Sequence, residues 1–256
     1  MDSKINQILK QWPKGTVGTV SWLAEHGVYR QLARRYLSSG WLQLLGRGAY
    51  LRAGDSADWF GGLYSLQRQQ GLNIYAGAST ALALKGLGHY LPLGDKSEVL
   101  LFSEHQTVLP GWFRKHDWCV PIKHYCPKLF ERSDASGFTE VKREGFSVRA
   151  SAPERAILEV LYLAINNEAI EHAVELMNGL STLRPQVLQE LLEACRSVKV
   201  KRLFLWAAEA AGHDWFAKLV VGRVDLGKGK RRLYHGGSFD SKYRITVPKK
   251  EGSSRV

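Results

Sequence analysis

The 256-residue chain is poor in cysteine and methionine, since it contains three cysteines and two methionines. Three cysteines are too few, and an odd number, for the disulfide framework of a small secreted scaffold. No apolar run approaches the ~20 residues that a membrane-spanning helix needs. The opening sequence MDSKINQILK also lacks an apolar signal segment. We therefore expect a cytoplasmic protein with reduced thiols and no membrane partner.

Acidic residues are also scarce, because 24 Asp and Glu face 36 Lys and Arg, which gives a net charge of +12 at pH 7. Residues 1–54 hold eight Lys and Arg against two Asp and Glu, and residues 196–256 hold fifteen against five. The middle of the chain holds thirteen against seventeen. Two basic ends indicate a polyanionic partner such as nucleic acid. A solvated basic surface without a partner is the alternative, above all at the C-terminal end.

The first part of the sequence has the element order of a winged helix. Helical spacing of apolar residues predicts helices over 3–12, 20–26 and 28–38. Strands then follow over 41–45 and 49–52, on either side of a Gly-Arg-Gly turn that predicts a hairpin. Since the chain is long enough for two domains, we predict a winged helix-turn-helix over 1–54 and a larger domain over 55–256.

The polar side of the third predicted helix carries two neighbouring i, i+4 ridges of Arg and Gln. Arg and Gln are the side chains that bind guanine and adenine edges through paired hydrogen bonds in the major groove. Arginines of the hairpin suit phosphates or the minor groove. The predicted DNA-binding residues are Arg30, Gln31, Arg34 and Arg35 on the helix, and Arg47 and Arg52 on the hairpin. A solvated arginine face and a protein-docking winged helix are the alternatives.

The larger domain is predicted to be α+β, with strands first and a helical bundle after them. Ser151 and Glu154 predict a capping box, with Pro153 in the first turn of an almost wholly apolar helix. The predicted strands cover 98–103, 118–125 and 138–150, the last with a hairpin turn at Glu144-Gly145, and the predicted helices cover 57–70, 78–85, 155–164, 168–178, 185–196 and 202–212.

Enzyme motifs are missing from the sequence. It contains no Walker loop, no HExxH and no GxSxG elbow. The segment GGSFD at 236–240 faintly resembles a nucleotidyltransferase turn, but it lacks the downstream carboxylate pair that would hold Mg²⁺. We therefore predict a protein that is not an enzyme and uses no cofactor.

Soft metal ligands cluster once, in the pattern H-x2-C-x4-H-x-C formed by His116, Cys119, His124 and Cys126. Such ligands can hold zinc. However, Cys-x6-Cys is not a zinc-finger spacing, and strand alternation would turn Cys119 and His124 to opposite faces. Buried thiols and surface histidines are the favoured interpretation and a zinc site is the alternative, so we predict no metal site.

Three segments, in the same order along the chain, resemble the AbiEi-type antitoxins of bacterial type IV, abortive-infection toxin–antitoxin operons. The first runs from Gly27-Val28 to Gly46-Arg47-Gly48-Ala49-Tyr50. The second is Ser151-Ala152-Pro153-Glu154-Arg155-Ala156-Ile157-Leu158-Glu159, and the third runs from Leu226 to Tyr243.

The resemblance implies a winged helix that binds inverted repeats in its own promoter and represses the operon. Two copies are expected on such a palindrome. It also implies that the C-terminal domain counters a nucleotidyltransferase-like toxin without a stable complex with it. A transcription factor with a ligand-sensing C-terminal domain and a toxin-modifying enzyme are the alternatives.

A basic run near the C-terminus, formed by Lys228, Lys230, Arg231 and Arg232, has two interpretations. It is either a solvated loop or a contact for DNA phosphate, for the toxin or for the toxin's RNA substrate. Phosphate contacts of this kind would add salt dependence without sequence preference.

Overall fold

The computed structural model describes residues 3–88, 98–103, 106–131 and 136–249. It is a mixed α+β structure, as predicted, and none of the helices described is long and apolar enough to cross a membrane. The helices are α1 Lys4–Gln11, α2 Val20–Glu25, α3 Arg30–Ser38, α4 Trp59–Arg68, α5 Ala78–Leu84, α6 Gly111–Lys115, α7 Pro153–Leu163, α8 Asn167–Asn178, α9 Pro185–Ala194 and α10 Val198–Ala211. The strands are β1 Gly18–Thr19, β2 Leu42–Gly46, β3 Ala49–Arg52, β4 Ile74–Ala76, β5 Val99–Ser103, β6 Ile122–Tyr125, β7 Phe138–Arg143, β8 Phe146–Ser151, β9 Ser238–Asp240 and β10 Ile245–Val247.

The chain divides into two compact units. The first contains the described residues of 1–75, 95–126 and 140–150, and the second contains those of 76–94, 127–139 and 151–256. The first unit thus continues past residue 54, and the domain boundary predicted after that residue stays a prediction.

The first unit opens with a winged helix. Helices α1, α2 and α3 precede the hairpin β2–β3, and β1 completes a three-stranded sheet in the order β1-β3-β2. Thr19 caps α2, since its Oγ1 accepts the Trp22 N–H at 3.3 Å. The core of this winged helix is apolar and buried, and consists of Ile5, Ile8, Trp12, Leu23, Val28, Ala33, Leu42 and Tyr50.

Helix α4 packs tightly against the segment between α1 and β1. A Cβ atom on Gly61 would lie 1.8 Å from the Gly15 carbonyl oxygen, so only glycine permits this approach. Ser65 Oγ donates to the Val17 carbonyl at 2.6 Å and accepts the Val17 N–H at 3.1 Å. These contacts fasten the winged helix to the segment that follows it in sequence.

A five-stranded sheet in the order β6-β5-β4-β8-β7 lies mostly in the first unit. Strands β5 and β6 are parallel, and the predicted turn at Glu144-Gly145 joins β7 to β8. The strand predicted over 118–125 begins only at Ile122. Its first residues form a turn instead, in which Asp117 accepts the Cys119 N–H and Cys119 has a φ of +58°.

The second unit is the predicted helical bundle. Helix α7 packs against α5, α8, α9 and α10, and its residues 154–161 are buried, as the apolar pattern predicts. The predicted capping box is wrong, because Ala152 is the N-cap residue and no side chain caps the helix. The Ser151 hydroxyl donates to Glu159 instead, and the Glu154 carboxylate accepts from Arg184. The β9–β10 hairpin, which the sequence analysis missed, follows the bundle.

Candidate nucleic-acid interface

The polar face of α3 forms one continuous arc. Successive residues of a helix are about 100° apart, so Arg30, Arg34, Gln31 and Arg35 span about 140°. All four are exposed, and none of their side chains forms an ion pair or a hydrogen bond with a described residue. The opposite arc includes Ala33, which is buried in the core. The side chains of the polar face are therefore available to a partner.

Packing holds α3 in place without using these side chains. The turn before the helix relies on Gly27, which has a φ of +76°, and buries Val28. At the far end, the Trp41 N–H donates to the Tyr36 carbonyl at 2.9 Å. Tyr29, the N-cap residue directly before Arg30, is 69% exposed, and no sequence pattern singled it out.

The hairpin presents Arg47 at its turn. Gly48 has a φ of +81°, and its carbonyl accepts the Val20 N–H at 2.9 Å, which ties the turn to α2. On the β2 side, a Cβ on Gly46 would lie 3.3 Å from Trp112 Cβ in α6, a helix that the sequence analysis missed. Arg47 itself is exposed. The wing tip is thus supported from two sides while its arginine faces solvent.

Arg52 differs from the other predicted DNA-binding residues. It is half-buried, and its Nη1 donates to the Trp12 carbonyl at 2.8 Å. This bond joins the end of β3 to the C-cap of α1. Arg52 therefore has a structural contact within the winged helix.

The histidine and cysteine pattern is only partly assembled. His124 Nε2 lies 3.6 Å from Cys126 Sγ and 2.7 Å from Ser103 Oγ. Cys119 is exposed, and the His116 ring packs against the indole of Trp118 rather than against the other members of the pattern. Burial lowers the pKa of His124, which favours its neutral form. Among the described residues, no group of three or more His, Cys, Asp and Glu could hold a metal ion.

The Ser-Ala-Pro-Glu-Arg-Ala segment contributes to a buried network in the second unit. The Glu159 carboxylate accepts the Ser151 hydroxyl at 2.8 Å, the Ala78 N–H at 2.9 Å and Arg155 Nε at 3.0 Å. Burial raises the pKa of Glu159, and Arg155 opposes that rise. These contacts join β8, α5 and α7, so the segment has a structural role.

The two charged residues of this segment are also bound within the second unit. The Arg155 guanidinium lies 4.4 Å from the centre of the Phe130 ring and 4.3 Å from that of Phe138. Glu154 accepts Arg184 Nε and Nη2, each at 2.9 Å. Sequence analysis missed these partners because they lie far away in the chain.

The basic run near the C-terminus is exposed at all four of its positions, Lys228, Lys230, Arg231 and Arg232. It precedes the β9–β10 hairpin in the second unit. The nearby Asp240 carboxylate accepts the Tyr243 N–H at 2.8 Å, so it closes the hairpin turn.

Comparison with known proteins gives two family matches and a likeness to solved structures. Residues 1–93 match the family described as "Transcriptional regulator, AbiEi antitoxin N-terminal domain", and residues 96–248 match "Transcriptional regulator, AbiEi antitoxin, Type IV TA system". No protein with a curated description matches the chain. The crystal structure of the RV2827C protein from Mycobacterium tuberculosis is similar, with a TM-score of 0.59 and 16% sequence identity over 95% of this chain and 89% of that one.

The structural likeness, at that identity, concerns the fold alone. The two family matches together cover the winged helix, the sheet and the helical bundle. They agree with the resemblance carried by the segments around residues 27–50, 151–159 and 226–243. The chain therefore belongs to the AbiEi antitoxin family of transcriptional regulators from type IV toxin–antitoxin systems.

Proposed function

We propose that the winged helix binds inverted repeats in its own promoter and represses the operon that encodes it. The observation that supports this proposal is the continuous face of α3, whose Arg and Gln side chains are exposed and have no described partner. An α-helix fits the major groove, where Arg and Gln can form paired hydrogen bonds with guanine and adenine. Two copies would bind one palindrome.

The proposed roles follow from position. Arg30, Gln31, Arg34 and Arg35 contact base edges or the phosphates beside them, and Arg47 binds the backbone or the minor groove. Arg52 acts mainly by positioning the wing, because its guanidinium is bonded to the Trp12 carbonyl.

In this proposal, the second unit carries out the antitoxin function. It would counter a nucleotidyltransferase-like toxin in the cytoplasm without forming a stable complex with it. Measuring toxin activity with and without the full-length protein, together with co-purification of the two, tests this part separately.

DNA binding can be tested by fluorescence anisotropy with the duplex upstream of the gene and a scrambled duplex at two salt concentrations. We expect selective binding with a steep salt dependence. Arg34→Ala should weaken operator binding by about 1–3 kcal/mol while the protein remains folded.

Arg196→Ala is the matched control, because Arg196 is also an exposed arginine but lies in the second unit. It should leave operator affinity unchanged. Equal affinity for both duplexes, or an unchanged affinity in folded Arg34→Ala protein, would refute the proposed recognition face.

A further inference from the structure

A second basic surface lies in the second unit. Arg231 joins the loop before β9 to the β9–β10 hairpin, because its N–H donates to the Arg244 carbonyl at 3.0 Å and its carbonyl accepts the Thr246 N–H at 3.1 Å. The loop and the hairpin therefore carry side chains of one surface. We call it the basic loop surface, and it consists of Lys228, Lys230, Arg231, Arg232, Phe239 and Arg244.

A buried guanidinium fixes the backbone of this surface. Arg202 is 1% exposed, and its nitrogens donate to the carbonyls of Leu226 at 2.8 Å, Gly227 at 3.0 Å, Gly229 at 2.8 Å and Arg244 at 3.2 Å. One side chain thus holds three points of the loop and one of the hairpin. The exposed cations are therefore attached to an ordered backbone.

The positive charge of the basic loop surface is not neutralised by the described residues. None of its five Lys and Arg side chains forms an ion pair in the part of the chain that the structure describes. Asp225 and Asp240, which are near in sequence, accept backbone N–H groups. Burial, followed by the charges of Arg231 and Arg244, lowers the pKa of Arg202, as expected where like charges are close. A polyanion would relieve this repulsion.

An exposed aromatic ring lies beside one of these cations. Phe239 is 46% exposed on β9, and Lys230 Nζ lies 5.2 Å from the centre of its ring. Proteins that bind single strands combine cations for the phosphates with aromatic rings on which bases stack. Bases within a duplex are already stacked on one another, so the exposed ring favours an unpaired segment.

We propose that the basic loop surface binds a single-stranded segment of nucleic acid, with a base stacked on Phe239 and phosphates on the surrounding cations. This site consists of residues of the second unit, shares none with α3, and needs no palindrome. It gives the second unit a ligand of its own, beyond promoter binding.

The test uses full-length protein and a fluorescent single-stranded RNA of about 10 nucleotides. Anisotropy should show that Phe239→Ala weakens binding by about 5- to 150-fold, whereas Phe239→Tyr keeps a ring and most of the affinity. Arg231→Ala should reduce the slope of log K against log salt by about 0.7. The same RNA as a duplex, and polyglutamate, should bind more weakly than the single strand.

Two matched controls and one cross-check complete the design. Val220→Ala alters an exposed apolar residue of the second unit, and Arg196→Ala alters an exposed cation of that unit, both outside this surface. Neither variant should change the affinity for the RNA. Arg34→Ala should keep RNA binding, and Phe239→Ala should keep operator binding, so each proposal can fail alone. An unchanged affinity in Phe239→Ala, equal binding of duplex or polyglutamate, or loss of RNA binding in Arg34→Ala would overturn the inference.

Discussion

Arg155 Nε donates to Glu159 Oε1 at 3.0 Å across one turn of α7, and the two side chains are only 3% and 1% exposed. Glu159 also accepts hydrogen bonds from Ser151 and from the Ala78 backbone. A buried charge is tolerated when such partners surround it, and it becomes costly when one partner is removed. The pair therefore makes the integrity of the second unit depend on a few polar contacts.

Removal of one partner should be strongly destabilising. Arg155→Met would leave the Glu159 carboxylate buried without its counter-ion, and we expect the free energy of unfolding to fall by about 3–5 kcal/mol. Urea unfolding measures this change. Adding Glu159→Gln removes the stranded charge, so the double variant should lose less than the sum of the single losses. Strict additivity would show that the two side chains act independently.

The contact between α4 and Gly15 predicts a glycine requirement. Gly61→Ala would place a methyl group 1.8 Å from the Gly15 carbonyl oxygen, so the helix must shift. We expect the free energy of unfolding to fall by about 1–3 kcal/mol, as measured by thermal or urea unfolding. Gly111→Ala is the control, because no atom lies within 4 Å of its Cβ position at the start of α6. A wild-type stability in Gly61→Ala would contradict this packing.

Arg52 and Arg34 should separate stability from recognition. Arg52→Ala removes the hydrogen bond to the Trp12 carbonyl. The free energy of unfolding should therefore fall by about 1 kcal/mol, and the melting temperature should fall with it. Arg34→Ala should leave the melting temperature unchanged, since that side chain has no described partner. Calorimetry on both variants checks this. The reverse order of stabilities would contradict the roles given to the two arginines.

The winged helix is predictable from sequence because its signals are local. Four polar side chains at i, i+4 spacing mark α3, and Gly46 and Gly48 mark the hairpin turn. The resemblance to AbiEi antitoxins rests on the same local strings, and the family matches confirm it.

The buried polar networks are not predictable in this way. Ser151 and Glu154 have the spacing of a capping box, but their partners are Glu159 and Arg184. Within the described ranges Arg202 bonds only to carbonyls, and a carbonyl is present at every residue, so no sequence pattern reveals these bonds. Contacts between distant segments decide such positions, and a local pattern cannot anticipate them.

The pairing of Glu154 with Arg184 predicts a loss of stability in acid. Burial would raise the pKa of Glu154, but hydrogen bonds from the Arg184 guanidinium and N–H, with its charge, lower the pKa below the ordinary value. The folded protein therefore holds this carboxylate ionised at pH values where the unfolded chain, with a pKa of about 4.3, begins to bind a proton. Its contribution is complete above that pH and is lost as the pH falls through the lower folded value.

Urea unfolding between about pH 7 and pH 3 measures this contribution as the difference between wild type and Glu154→Gln. We expect a constant difference above about pH 5 that shrinks below about pH 4. Glu190→Gln is the control, because Glu190 is exposed on α9 and has no described partner. It should match wild type throughout. If the Glu154→Gln difference stayed constant in acid, proton binding would not be coupled to this pair, and Glu154 would act through its shape and hydrogen bonds alone.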